Sequence, residues 1–244
     1  MLIYPAIDLI GGCCVRLSQG DMDRVTRYDA TPTELLARFA ASGASSAHIV
    51  DLDGAGEGSP VQHSLVAALA KETPLSIQAS GGIRDVSHID MLFGAGVSRV
   101  VIGSLAVTNP DRVKDWIKRF GPSQIVLAFD VQIAEFGQPM AVTHGWRRAS
   151  TKTLWNLLDE YADSGLEHIL VTDISRDGML SGPNTALVEE IVSRWPMIKL
   201  QASGGVGSLE DVAVLRSAGA GAAIIGKAIY EARVDLAEAI RACA

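Results

Sequence analysis

The chain has 244 residues, 48% of them apolar and 20% charged, and 21 basic against 28 acidic side chains leave a net charge of −7. That is enough chain for one large buried core, and an acidic balance with no basic stretch argues against nucleic acid and anionic membrane as partners. No apolar run approaches a membrane span, the start lacks the marks of a secretory leader, and Cys13, Cys14 and Cys243 fit neither a disulfide framework nor a metal-ligand spacing, so a reduced, cytoplasmic, monomeric protein without cofactor or metal is expected.

The first predicted strand, Leu2 to Leu9, is apolar almost throughout, as a strand buried on both faces must be, and it delivers a carboxylate at Asp8. Gly11-Gly12 turn into a small hairpin that carries Arg16, and the polar segment from Ser18 to Tyr28 reads as a mobile lid. Thr31-Pro32-Thr33-Glu34 combines an N-cap, a proline at the first helical position and a capping-box acid, with Leu35, Leu36, Phe39 and Ala40 as the inward stripe. Strand two runs from His48 to Leu52, and a glycine-rich turn leads to a helix from about Pro60 to Lys71. Strand three (Leu75 to Ala79), its helix (Val86 to Phe93) and strand four (Arg99 to Ile102) follow, and Asn109-Pro110 opens the next helix. Strand five, Ile125 to Phe129, delivers Asp130. The stretch from Val131 to Arg148 is too long for a simple connection and is punctuated by Gly137, Pro139 and Gly145, so it reads as a functional loop and a second lid. A helix from Thr153 to Ser164, a strand from His168 to Thr172, a loop to Gly182 and a helix from Thr185 to Trp195 complete the third quarter.

The last quarter is strand, Ser203-Gly204-Gly205, helix (Leu209 to Ala218), strand (Ala222 to Ile225) and Gly226-Lys227, and residues 80 to 107 have the same design. The separations agree: 203 − 80 and 226 − 103 are both 123, while 130 − 8 and 173 − 51 are both 122. The chain is one half-unit written twice, approximately 1–122 and 123–244, each with about four strand-then-helix modules. A doubled set closes as a (β/α)8 TIM barrel, a single domain over residues 1–244.

In such a barrel a ligand sits at the C-terminal ends of the strands. That filter selects Asp8, Asp51, Ser80, Gly103, Asp130, Thr172, Ser203 and Gly226, with Asp53, Asp173 and Asp177 close behind. The glycines read either as ordinary tight turns or as two phosphate cradles, in which a missing Cβ leaves room for a phosphate oxygen. Gly82, Gly103 and Ser104 would form one cradle, and Gly204, Gly205, Gly226 and Lys227 the other. Asp8 and Asp130 hold equivalent places on strands one and five and face each other, which suits one proton donor and one acceptor; alternatively, one of them caps a loop or pairs with Arg16 or Arg84. Magnesium at Asp8, Asp51 and Asp130 is the weaker idea, because no histidine or glutamate joins them at strand ends. His48 either reaches ligand or is a satisfied inward histidine. Asp177 lies in an Asp-Gly turn and is either site or turn. Trp146 and Arg147 either cover a ligand or pin the long loop. His63, His88 and His168 receive no role. Together these features describe a small-molecule ligand phosphorylated at both ends.

Pro5-Ala6-Ile7-Asp8-Leu9, Val15-Arg16-Leu17 with Gln19-Gly20, Val50-Asp51-Leu52, Phe129-Asp130-Val131 with Gly145-Trp146, Thr172-Asp173-Ile174-Ser175-Arg176-Asp177-Gly178 and Ser203-Gly204-Gly205 carry a resemblance over essentially the whole chain. The sequence resembles the histidine-biosynthesis isomerases that act on phosphoribosyl-formimino-aminoimidazole-carboxamide ribotide. The resemblance implies an Amadori rearrangement, in which an aminoaldose with two phosphates becomes an aminoketose. It implies Asp8 as general base and Asp130 as general acid, with Asp177 and Thr172 assisting. Arg16, Gly20, His48, Arg84, Trp146, Arg147, Gly178 and Ser203 join the two glycine sets as substrate-binding positions. The related glutamine-dependent cyclases share the barrel and both aspartates, but usually have a cysteine where this chain has Ile7 and lack the Gly-Trp loop. Ser80 stands where the family often has a further glycine. Action on phosphoribosyl-anthranilate as well, or binding without catalysis, are the alternatives.

Overall fold

The structure, a computed structural model, describes residues 1–18, 21–146 and 148–244, with backbone only at residues 18 and 21–23. Eight parallel strands close on themselves: β1 (Leu2–Ile10), β2 (Ser46–Asp51), β3 (Ser76–Ser80), β4 (Arg99–Ile102), β5 (Ile125–Ile133), β6 (His168–Asp173), β7 (Lys199–Ser203) and β8 (Ala222–Ile225). Each pairs with the next in chain order, and β8 pairs back onto β1 with Leu2 opposite Ala222. This is the expected (β/α)8 barrel. Helices cover its outside, among them Pro32–Ala41, His63–Glu72, Val86–Gly94, Pro110–Phe120, Thr185–Arg194 and Leu209–Ser217.

The caps read from the sequence form. Thr31 and Glu34 exchange capping-box bonds ahead of Pro32, and the Asn109 side chain accepts from the Arg112 amide ahead of Pro110. Among the described residues, four α-helices were not anticipated: Leu52–Glu57, Ser104–Thr108, Lys227–Tyr230 and Leu236–Cys243. The first three have six residues or fewer and so give no repeating apolar face to read. The hairpin expected at Cys13–Leu17 forms against β1, and the described parts of the two segments read as lids are largely antiparallel strand. Cys13–Ser18 pairs with both β1 and Asp21–Arg27, and Pro139–Thr143 joins the extended end of β5 to Arg148–Thr153.

The period of two along each strand decides what reaches the mouth. Tyr4, Ala6, Val101, Val126, Leu170, Ala222 and Ile224 pack together inside the barrel, with Ala128 against them. Their chain neighbours, including Ile3, Ile7, Leu127, Phe129, Ile169, Val171, Ala223 and Ile225, face the helices in the larger core. Two residues past the lumen set along each strand come Asp8, Gly103, Asp130, Thr172 and Gly226. On β3 and β7 the same step from the buried Gln78 and Gln201 gives Ser80 and Ser203.

Strand two corrects the sequence reading. Ile49 belongs to the helix-facing core and is two residues from Asp51, so Val50 holds the mouth position and Asp51 turns outward. The buried Asp51 carboxylate accepts from the amides of Gly54, Val61 and Gln62, each at 2.7 Å, and organises the loop after β2. Asp173 is its counterpart in the second half. It takes bonds from the Ser175 amide and hydroxyl and from Asn184 Nδ2. Both oxygens of Asp51 are thereby engaged on the helix side, away from Asp8 and Asp130.

Candidate active site

Asp8 is met by Arg16, which the hairpin strand beside β1 brings back over the mouth. Arg16 Nη1 donates to Asp8 Oδ2 at 2.6 Å and Nη2 donates to the Ala6 carbonyl at 2.8 Å, with only 14% of either side chain exposed in the ion pair. Its guanidinium carbon lies 5.3 Å from the centre of the Tyr230 ring, a contact the sequence did not suggest. A Cβ built on Gly226 would fall 1.7 Å from Arg16 Nη2. The bare Cα of Gly226 therefore makes room for the guanidinium, whereas room for a phosphate oxygen was expected.

Asp130, on the opposite side of the barrel, sits in a different environment. Burial raises its pKa above the usual carboxylate range, opposed by hydrogen bonds from the Trp146 side chain and from Thr172, its register partner on β6. Trp146 ends a turn in which His144, Gly145 and Trp146 all have positive φ (58°, 62° and 68°), a strained conformation for a histidine and a tryptophan. Ser104, just after Gly103, tethers that turn by accepting from the His144 amide at 2.9 Å. Thus Ser104 holds the loop that reaches Asp130. Its equivalent Lys227 does the matching task in the second half, donating to the Gly178 carbonyl at 2.9 Å beside Asp177.

Asp177 is pushed up to about 6, chiefly by burial; Arg16 draws it down, Asp8 and Asp130 raise it further, and Lys227 lowers it. It thus senses both opposed carboxylates and both cations. Since its folded pKa is above the ordinary value of 3.8, ionising it works against the folded state, and that penalty grows as pH rises from about 4 to about 6. Asp177→Asn should therefore melt above the wild type at pH 7, with the difference closing by pH 4. Thermal melts across that range would refute the assignment if the difference were constant.

The other predicted positions divide. Gly81 and Gly82 (φ 105° and 72°) press against backbone: added Cβ atoms would lie 2.1 Å from the Asp51 carbonyl oxygen and 2.4 Å from the Ser59 carbonyl carbon. Gly204 and Gly205 do the same, at 3.0 Å from the Asp173 carbonyl oxygen and 2.2 Å from that of Gly182. The missing Cβ at Gly82, Gly204 and Gly205 thus serves the crossing of neighbouring loops, and of the five glycines read as cradles only Gly103 faces open space. Gly81→Ala should cost more than about 2 kcal/mol from the positive φ and the collision together, so an unchanged urea midpoint would contradict this packing. Arg84 is exposed and lies over Gly58, its guanidinium carbon 2.6 Å from a Cβ built there. Ser203 stands in register with Thr172. His48 is buried in the lumen with Nδ1 3.2 Å from Gln78 Nε2, and burial beside Arg16 lowers its pKa to about 3. Gly20 and Arg147 lie outside the described residues. Among the described residues no three histidine, cysteine, aspartate or glutamate side chains gather as a metal cluster, and no helix is long and apolar enough to cross a membrane.

The sequence profile of a family described as histidine biosynthesis protein matches residues 2–235. The chain belongs to this family. Its curated relatives include proteins from Alteromonas mediterranea (46% identical over 239 residues), Shewanella oneidensis (47% over 240) and Klebsiella pneumoniae (43% over 240), each alignment covering 98% of both chains. All three are named 1-(5-phosphoribosyl)-5-((5-phosphoribosylamino)methylideneamino) imidazole-4-carboxamide isomerase. Family membership matches the resemblance read from the Thr172–Gly178 and Pro5–Leu9 runs.

Proposed function

We propose that the chain is an isomerase that converts the bis-phosphorylated aminoaldose named for its relatives into the corresponding aminoketose, a step of histidine biosynthesis. The observation that carries this is the pair Asp8 and Asp130: the same residue type at equivalent strand ends, in unlike settings. Arg16 can only donate, so Asp8 presents acceptor oxygens; burial favours a proton on Asp130. Two carboxyls whose environments differ in this way can divide the acid and base tasks of one reaction.

The reaction relocates two hydrogens within the molecule, one from C2 to C1 and one from the C2 hydroxyl to the former ring oxygen, and needs no outside oxidant. Asp130 gives a proton to the ring oxygen of the aminoaldose, the C1–O bond breaks, and the nitrogen lone pair completes a C1=N bond. Asp8 takes the proton from C2, and its electron pair forms C1=C2 as the C1=N electrons return to nitrogen. Protonation at C1 and loss of the C2 hydroxyl proton leave the C2 ketone. C2 is oxidised and C1 reduced, so the molecular formula is unchanged. Asp177, whose pKa is pushed up to about 6 and which feels both Asp8 and Asp130, would pass protons between the two. Thr172 and Trp146 hold Asp130 in position, while Ser104 and Lys227 fix the loops after Gly103 and Gly226, of which Gly103 leaves open space for a phosphate and Gly226 seats Arg16.

The test is to incubate purified protein with this aminoaldose and separate the products by chromatography with mass detection. A new species of identical mass is expected. Binding without turnover would leave only a phosphosugar-binding barrel.

A further inference from the structure

The barrel lumen carries a polar pair in its middle. Gln78 on β3 and Gln201 on β7 are equivalent members of the repeat, 201 − 78 = 123 residues apart, and they meet across the barrel. Gln78 Nε2 donates to Gln201 Oε1 at 2.8 Å, and Gln201 Nε2 donates to Gln78 Oε1 at 2.9 Å. Both are nearly wholly buried, 1% and 2% exposed. A reciprocal bond of this kind immobilises both amides, because turning one alone would set oxygen against oxygen and nitrogen against nitrogen.

What the pair touches is not symmetrical. Gln78 Nε2 also lies 3.2 Å from Nδ1 of His48, while the position equivalent to His48 is Leu170 (170 − 48 = 122). A carboxamide nitrogen carries two hydrogens and accepts nothing; one is used on Gln201, which leaves the other for the imidazole. Nδ1 is then the acceptor, and the neutral ring bears its hydrogen on Nε2. The ring lies just below the catalytic layer: His48 is in register with Ala6, whose carbonyl is held by Arg16, and Asp8 is two residues further along that strand.

We propose that Gln78, locked by Gln201, is a positioning residue that holds His48 as the Nε2–H tautomer, so that the floor beneath Asp8 offers the sugar of the substrate an uncharged hydrogen-bond donor. An uncharged donor matters here because Arg16 already supplies the cation at this spot, and a second cation would compete for the Asp8 carboxylate. Burial beside Arg16 keeps the ring neutral through the whole range in which the reaction would run. The repeat thus supplies a symmetrical clamp, and the single histidine makes it serve one half of the site. The functional part of this inference rests on the isomerase reading.

The tautomer itself is read without turnover. In 15N NMR of ligand-free wild type between pH 6 and 8, His48 should show an unprotonated Nδ1 and a protonated Nε2. Gln78→Glu places an acceptor against the ring and should move the hydrogen to Nδ1, lowering kcat/KM about 3- to 10-fold, the worth of one neutral hydrogen bond. In a His48→Gln background the same change should cost nothing more, because Gln78 acts only through the ring. A wild-type ring protonated at Nδ1 would overturn the proposal, even if Gln78→Glu failed to fold, since it would mean that both amides are turned over. An equal loss in both backgrounds would also overturn it, reducing Gln78 to a packing residue. The predicted tautomer in a protein with no isomerase activity would overturn the isomerase reading and leave the positioning of the ring intact.

Discussion

Asp8→Asn should fold as the wild type does and lose about 10²- to 10⁴-fold in kcat, roughly 3 to 5 kcal/mol of barrier. The substituted side chain has nearly the same shape, and its carbonyl oxygen can still accept from Arg16 Nη1, so the 2.6 Å contact that packs the hairpin over β1 survives with its charge removed. What disappears is the capacity to take a proton from carbon. The measurement is steady-state turnover beside a thermal melt: a variant that keeps near-full kcat would show that Asp8 serves only to anchor Arg16, the structural alternative that the ion pair makes concrete.

Asp130→Asn should lose turnover on the same scale for the complementary reason. Its amide oxygen can still accept from Thr172 and Trp146, so the turn at residues 144–146 stays tied, but there is no acidic proton to open the ring. Asp130→Ala removes the acceptor too, and should add loosening of the strained turn to the loss of chemistry. Turnover together with the fluorescence of Trp146 separates the two effects. Asn should leave the emission near that of wild type and Ala should shift it, whereas full activity in the Asn variant would remove Asp130 from the mechanism.

Much of this site could be read from the sequence, because a parallel strand buried on both faces keeps a strict period. Tyr4-x-Ala6-x-Asp8 and Val126-x-Ala128-x-Asp130 place both carboxylates one step above the lumen. The same rule, applied residue by residue, would have exchanged Asp51 for Val50; choosing by position at the strand's end ignored which face Asp51 takes. The glycines were ambiguous for a physical reason. A phosphate approaching the backbone and a neighbouring loop crossing it both demand a missing Cβ, and only the fold distinguishes Gly82 against Ser59 from Gly103 against open space. The outer strands within the segments read as lids escaped because Asp21–Arg27 and Arg148–Thr153 are mostly polar and show no alternation to set against a loop. The short helices after Gly103 and Gly226 escaped for want of length. Gln78 and Gln201 did leave a signal, since Gln-Ala-Ser ends both β3 and β7 at the repeat's own spacing. Tyr230 left none.

Carboxylates that move a proton between neighbouring carbons do so in contact with water, and Asp8 retains some exposure at the mouth. Running the conversion in D₂O and locating deuterium in the aminoketose tests this most directly. The acid–base account predicts deuterium at C1 of the product, in whole or in part, and a large loss of its formation in Asp8→Asn. A product formed at full rate with no deuterium bound to carbon, and formed as fast by Asp8→Asn, would mean that hydrogen passes from C2 to C1 without Asp8 and without meeting water, which would contradict proton transfer by Asp8.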